Sequence, residues 1–263
     1  MGKGDSVVEE RVKGDSLMVG SVEKAFRILE VFTQSNMSLS LTELSALTGM
    51  NKSAVQRFAH SLERMGYLVK DPATKRYRLS VRVLELSAAF VTSNDLISRV
   101  TPYLLHVSKE TDETVSLSML YDKDIIFLSR FMNRNMLHTD VVNGTRMPAY
   151  CTAPGVAMLA ALPRQRAVAI LNGSDLRRYT AHTTCDVSAL IGKLDETKER
   201  GFATAISEYF LGDISIAAAL LDASGEPVGA ISVGVPDARY SPEAAMAKFA
   251  PIVMTAARNA SLK

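Results

Sequence analysis

The sequence has no tryptophan, few aromatic residues (6%) and only two cysteines in 263 residues. Cys151 and Cys185 cannot by themselves build a disulfide framework or a four-thiolate zinc site, so both scaffolds are excluded and a reducing cytoplasm is the expected setting. No apolar run is long and charge-free enough to span a bilayer, and residues 1–20 lack the apolar centre of a secretory signal. No membrane partner is therefore expected. Also missing are a Walker loop, a dinucleotide fingerprint, a G-x-S-x-G elbow and an H-E-x-x-H pair. Phosphate, hydride, acyl and zinc chemistry lack their usual anchors, so no catalytic residue, metal ligand or cofactor is assigned and an enzyme is not expected. The four histidines, at 60, 106, 138 and 182, are scattered, and only His138 falls within a predicted strand.

What remains is ordinary globular material, 47% hydrophobic and 22% charged, in a chain long enough for two domains. The net charge of +2 hides an uneven distribution. Residues 51–78 hold seven Lys/Arg against two acids, a local excess of five, which leaves −3 for the rest. A small basic module on an acidic body suits a nucleic-acid reader joined to a larger regulatory domain.

Residues 51–67, NKSAVQRFAHSLERMGY, carry that module. Val55, Phe58, Ala59, Leu62 and Met65 recur at the offsets of one helix side, and Ser53, Gln56, Arg57, His60 and Arg64 lie opposite, with Lys52 near the amino end. Asn51 is a predicted N-cap and Gly66 a predicted stop. Upstream, Ser40-Leu41-Thr42-Glu43 has the spacing of a capping box, opening a short helix that ends at Gly49. A first helix is predicted from Ser21, with Val22, Ala25, Phe26, Leu29 and Phe32 as its apolar side. Downstream, residues 67–70 and 75–80 flank the turn Asp71-Pro72-Ala73-Thr74, giving a hairpin whose second arm alternates Tyr77 and Leu79 with Arg76 and Arg78. Three helices and a basic hairpin make a winged helix-turn-helix, in which the third helix enters the major groove. The candidate DNA contacts are Ser40, Thr42, Lys52, Ser53, Gln56, Arg57, Lys75, Arg76 and Arg78.

Beyond residues 81–93, which are helix-compatible, Asp95 starts a further helix with Ile97, Val100, Leu104 and Val107 in step, broken or kinked at Pro102. From Thr114 the period becomes two, with Val115, Leu117 and Met119 alternating with Ser116 and Ser118. Strands are predicted at 114–119, 125–129, 136–142, 202–206, 214–221 and 227–235, and helices at 155–161 and 187–200 and from the Ser241-Pro242 cap onward.

With these residues in view, the chain resembles transcriptional regulators of the isocitrate lyase regulator (IclR) type. SVEKAFRILEVF and LSLTELSALTGMNKSAVQRFAHSLERMGYLVKDPATKRYRLSVRVLEL follow that family's order of helix, helix-turn-helix and wing. GTRMPAYCTAPGVAMLAALP and KERGFATAISEYFLGDISIAAALLDASGEPVGAISVGVP continue the likeness through the second half. The resemblance implies an α+β, two-domain chain: a leader over 1–20, a winged helix-turn-helix over 21–80, a linker helix over 81–94, and a GAF/PAS-like α/β effector-binding and oligomerisation domain over 95–263. It implies a ligand-responsive repressor of a small-metabolite catabolic operon, acting on double-stranded operator DNA as a homodimer or homotetramer. A small-molecule enzyme carrying a DNA-binding domain, and an architectural DNA-binding protein with no ligand, share the same first half.

The helix start within MPAYCTAPGVAML offers backbone N–H groups and a positive dipole end, which can hold a small organic acid without an arginine. By resemblance the effector pocket uses Ala153, Pro154, Ser215, Ser232 and Gly234, with Tyr150, Cys151 and Thr152 adjacent in sequence. Pro154 has no N–H to donate, Gly234 replaces a small polar side chain of some relatives, and Val156 replaces a common lysine. These departures open the site to acids other than the glyoxylate or pyruvate recognised by the best-known type.

Overall fold

The computed structural model describes residues 17–133 and 141–261. Most of the expected leader, His138 and all but the last two positions of the strand expected at 136–142 lie outside them. Val141 and Val142 belong to no strand. Contacts divide the chain into two compact units, one ending at Phe90 and the other starting at Val91.

In the first unit, α1 (Gly20–Glu30), α2 (Leu41–Thr48) and α3 (Lys52–Arg64) precede the hairpin β1 (Leu68–Lys70) and β2 (Tyr77–Leu79). The capping box of α2 is complete: Glu43 N–H donates to Ser40 Oγ at 3.3 Å and Ser40 N–H donates to Glu43 Oε2 at 2.8 Å. Ala54 N–H donates to Asn51 Oδ1 at 2.8 Å, fixing the start of α3. Its end is a Schellman motif: Gly66 sits at φ 81°, its N–H reaches Glu63 O, and Tyr67 N–H reaches Leu62 O. Val55, Ala59 and Leu62 from α3 bury against Ile28, Leu39, Leu44, Leu68 and Tyr77.

The expected apolar side of α1 needs correction. Its packed stripe is Ala25, Ile28, Leu29 and Phe32, while Val22 and Phe26 are 53% and 55% exposed. Apolar residues cover more of this helix than one neighbour can bury, and Ile28, which is fully buried, sets the face.

Helix α4 (Val83–Ser93) contains the boundary between the units and has no buried residue among its described positions. In the second unit, α5 (Asp95–Thr111) runs through Pro102 without a break, with Ile97, Val100, Leu104 and Val107 buried. There follow β3 (Thr114–Tyr121), β4 (Asp124–Phe131), β5 (Arg146–Pro148), a 3-10 turn (Ala149–Cys151), α6 (Ala153–Ala161), α7 (Arg164–Gly173), α8 (Val187–Arg200), β6 (Ala203–Ile206), β7 (Asp213–Leu221), β8 (Pro227–Pro236) and α9 (Pro242–Ala260). The six strands form one antiparallel sheet in the order β5-β4-β3-β8-β7-β6. Sequence alternation did not mark α7 or β5. Only Ala167 and Leu171 of α7 are buried, and β5 is a three-residue edge strand ending in proline.

Alternation assigns the two faces of the sheet. Val115 and Leu117 on β3, Ile214 and Ile216 on β7, and Ile231 and Val233 on β8 pack with α5 and α9. Ala203, Ala205, Ala217 and Ala230 face α6 and α8. Small residues there let α6 approach closely. Gly155 of α6 makes a separate close approach, to the 3-10 turn: a Cβ built on it would lie 2.2 Å from Ala149 O. No helix among the described residues is long and apolar enough to cross a membrane.

Candidate nucleic-acid interface and ligand cavity

Along α3, Lys52, Ser53, Gln56, Arg57, His60 and Arg64 are all exposed, on the side opposite the buried stripe. The sequence-predicted reading face is therefore presented to solvent. Thr42 is exposed beside it, whereas the Ser40 hydroxyl is engaged in the cap of α2.

In the wing, Asp71 Oδ1 accepts the N–H groups of Ala73 at 2.8 Å and Thr74 at 2.9 Å, and Lys75 adopts φ 59° to close the turn. Lys75 and Arg78 are exposed. Arg76 is placed differently from its neighbours. Its Nη2 pairs with Glu43 Oε2 at 2.9 Å and donates to Ser38 O at 2.7 Å, which ties the hairpin to the start of α2. Backbone N–H groups of Leu39 and Tyr77 bond reciprocally to each other's carbonyls at 2.9 and 2.7 Å, so the wing is anchored at a second point.

The second unit contains a cavity between the sheet and the amino end of α6, with about 80 Å³ available to the centres of water-sized spheres. At roughly 10–15 Å³ per water on that measure, it suits a small metabolite rather than a cofactor. Seven of the eight residues named for the effector meet in its wall: Cys151, Thr152, Ala153, Pro154, Ser215, Ser232 and Gly234. Tyr150 is the correction. It is buried outside the lining, and its hydroxyl donates to Arg177 O at 2.5 Å, so it anchors the loop after α7.

Strand register explains the convergence. Arg130, Ser116, Ser232 and Ala217 form one cross-strand row, and Thr114, Gly234, Ser215 and Ala205 form the next, all toward α6. Among the described residues, neither the Ser215 nor the Ser232 hydroxyl has a hydrogen-bond partner, so neither is spent on the sheet. Thr152 Oγ1 donates to Pro148 O at 2.9 Å rather than capping α6. Cys151 is fully buried, and its thiol is pushed up to about 12 by burial and the nearby Glu208 carboxylate, so it is a neutral wall group and not a nucleophile. Phe127, Tyr209 and Phe210 supply aromatic walls, the last two meeting edge to face at 4.7 Å.

Sequence reasoning missed the ionisable lining: Glu113, Arg130, Glu208 and Asp213. The cavity wall thus includes an arginine that the sequence reading did not name. Arg130 reaches the cavity because of a β-bulge. Phe127 pairs with Ser118 on the cavity side and Ser129 with Leu117 on the other, leaving Leu128 as the extra residue that turns Arg130 inward. Uninterrupted alternation would have put Arg130 with Ile126 and Leu128 against the opposite core. Glu113 is held by Arg239, Oε1 to Nη2 at 2.8 Å, and by Tyr240 OH at 3.2 Å. Glu208 is paired with Lys193. Among the described residues no group of His, Cys, Asp and Glu could hold a metal ion.

Comparison with known proteins agrees with both halves. Residues 21–72 match the IclR helix-turn-helix domain, and residues 88–262 match the bacterial transcriptional regulator IclR C-terminal domain. The HTH-type transcriptional regulator KdgR of Escherichia coli (strain K12) is 30% identical over 243 residues, 92% of each chain. The crystal structure of a putative transcriptional regulator from Rhodococcus sp. RHA1 superposes with a TM-score of 0.79 at 29% identity, covering 92% of this chain and 97% of that one. An IclR homolog from Microbacterium hydrocarbonoxydans, crystallised with 4-hydroxybenzoate, shares the fold with a TM-score of 0.76 at 21% identity, over 92% and 97% of the two chains.

Proposed function

The chain belongs to the IclR family of bacterial transcriptional regulators, and from that premise we propose that it is a repressor whose hold on operator DNA is set by a small organic acid in the second-unit cavity. DNA binding and transcriptional regulation follow from the family. The sign of regulation, the effector and its site are the further step. The observation that carries the step is the meeting of Ala153, Ser215 and Ser232, from three separate elements, around one cavity with uncommitted hydroxyls.

In the first unit, Gln56 and Arg57 are the base-reading pair of this proposal, with Lys52, Ser53, Lys75 and Arg78 on phosphates. Their support is exposure on one helix face and one wing of local positive charge. The symmetric operator site such a module reads calls for a homodimer or a tetramer. A ligand shifts operator affinity only through unequal affinity for the DNA-competent and DNA-incompetent arrangements, typically about 1–3 kcal/mol of coupling.

The test is binding of the full chain to the intergenic DNA beside its own gene, alone and with a panel of small carboxylic acids. A reproducible shift of the binding curve by one of them supports the proposal. Operator binding that no member of the panel alters, or turnover of one of them, would sink it.

A further inference from the structure

The cavity wall has two features able to hold an anion. The amino end of α6 carries about half a positive charge, and Pro154 at its second position removes one N–H. Arg130 carries a full charge and a fork of donors suited to bidentate contact with a carboxylate. It lies at hydrogen-bond range of Ser116, Nη1 to Oγ 3.4 Å, and 5.5 Å from the Phe127 ring centroid. Position separates the ionisable lining groups. Glu113 pairs with Arg239 and Glu208 with Lys193; Arg130 and Asp213 border the rows that carry Ser232 and Ser215.

Asp213 lies beside Gly234. A Cβ on Gly234 would lie 3.7 Å from Asp213 Oδ1, so the carboxyl leans over the row Thr114–Gly234–Ser215. A ligand carboxylate arriving at Arg130 would bring a second carboxylate into the partly dry cavity that Asp213 already lines. Like charges so placed do not both stay ionised. The least costly outcome is that Asp213 takes a proton from solvent and donates it as a hydrogen bond to the incoming carboxylate.

We propose that Arg130 takes the acid group of the ligand and that Asp213, across Gly234, is its protonated partner, so that the cavity binds a monocarboxylic acid together with one proton. This deepens the reading of the cavity as an effector site and rests on it. The electrostatics of the unliganded protein agree: burial raises Asp213, Arg130 opposes the rise, Asp237 adds to it, and the balance is about 7. Cys151, held up at about 12, does not titrate in the same range. Below about 7, Asp213 is already protonated and affinity is flat with pH. Above it, the proton must be captured on binding, so Kd rises by up to about tenfold per pH unit. The ligand itself stays ionised throughout, since ordinary carboxylic acids titrate near about 4.

The experiment is calorimetry of the full chain with benzoate, 4-hydroxybenzoate and pyruvate from about pH 6 to about pH 9, in buffers of different ionisation enthalpy. An acid that binds is expected to take up a proton above neutrality and to show the rising Kd. Asp213→Asn should hold the low-pH affinity across the range, and Arg130→Gln should lose binding of the acid, with Arg130→Lys intermediate. A flat wild-type profile, a slope that survives Asp213→Asn, or unchanged affinity in Arg130→Gln overturns the proposal. If Arg130→Gln does not fold, the Asp213→Asn profile decides. Binding that ignores both residues yet is lost in the Ser215→Ala, Ser232→Ala double variant overturns this pairing and leaves the effector cavity standing. No binding of any of the three acids at millimolar concentration near the acid end overturns both.

Discussion

Arg76 of the wing and Glu43 of α2 are joined by an ion pair of 2.9 Å, and Glu43 is at the same time the reciprocal member of the Ser40 capping box. One carboxylate thus fixes a helix start and the angle of the hairpin beside it. The Ser40 backbone and side-chain hydrogen bonds, followed by the Arg76 contact, hold Glu43 down at about 2 against an ordinary 4.5. A lowered carboxyl contributes above its ordinary value and loses the contribution as pH falls toward the folded value. The α2–wing contact should therefore persist at neutral pH and dissolve between about 4.5 and about 2. NMR shifts of Ser40 and Arg76 that move together through that window would agree, and movement near neutrality would not.

The exposed wing cations should behave unlike Arg76. Arg78→Ala should reduce the salt slope of log K by about 1 for each phosphate it ceases to neutralise, and by about 2 in a symmetric dimer. Arg76→Ala should instead lower the stability of the first unit, with the slope change secondary. Equal slopes for wild type and Arg78→Ala over a salt series would remove the wing from the phosphate interface.

Arg57→Ala should weaken specific operator binding by about 1–3 kcal/mol and leave thermal unfolding nearly unchanged. The side chain is exposed, on the side of α3 opposite its buried stripe. A folded variant with wild-type affinity in a gel-shift titration would exclude Arg57 as a contact.

Gly155→Ala should destabilise the second unit by about 1–3 kcal/mol, because the added methyl meets backbone and not a mobile side-chain end. Its nearest atoms are Ala149 O at 2.2 Å and Ala149 Cα at 2.4 Å, so the 3-10 turn beside the cavity must move. Chemical denaturation is the check, and an unchanged midpoint would contradict the close approach.

Ser215→Ala and Ser232→Ala should each reduce the response to an acid effector while ligand-free operator binding stays intact. Both hydroxyls line the cavity and belong to the second unit. A verified effector bound as tightly after both replacements would show that these serines do not serve the ligand.

Much of the DNA-reading unit was legible because its signals are local. A capping box needs residues three apart, a Schellman end needs one glycine at Gly66, and the buried stripe of α3 follows from the helical period. The face of α1 was misjudged because Val22 and Phe26 satisfy the same period as the residues that pack. In the second unit, alternation gave the sides of β3 and strands were expected where β7 and β8 lie, while the loop before α6 was found through resemblance. The short edge strand β5 and the sparsely buried α7 left no periodic trace.

By itself the sequence determined the order of elements, their caps and turns, and the concentration of basic charge in one module, since each depends on neighbours a few residues apart. The tertiary structure decided what meets in the cavity and what does not. A single extra residue at Leu128 reverses the strand's alternation and sends Arg130 inward, and the sheet register brings Asp213 to the same wall beside Gly234. Packing likewise turned Tyr150 away to Arg177 and Arg76 toward Glu43. Those outcomes depend on register and on partners tens of residues distant, which period and composition do not encode.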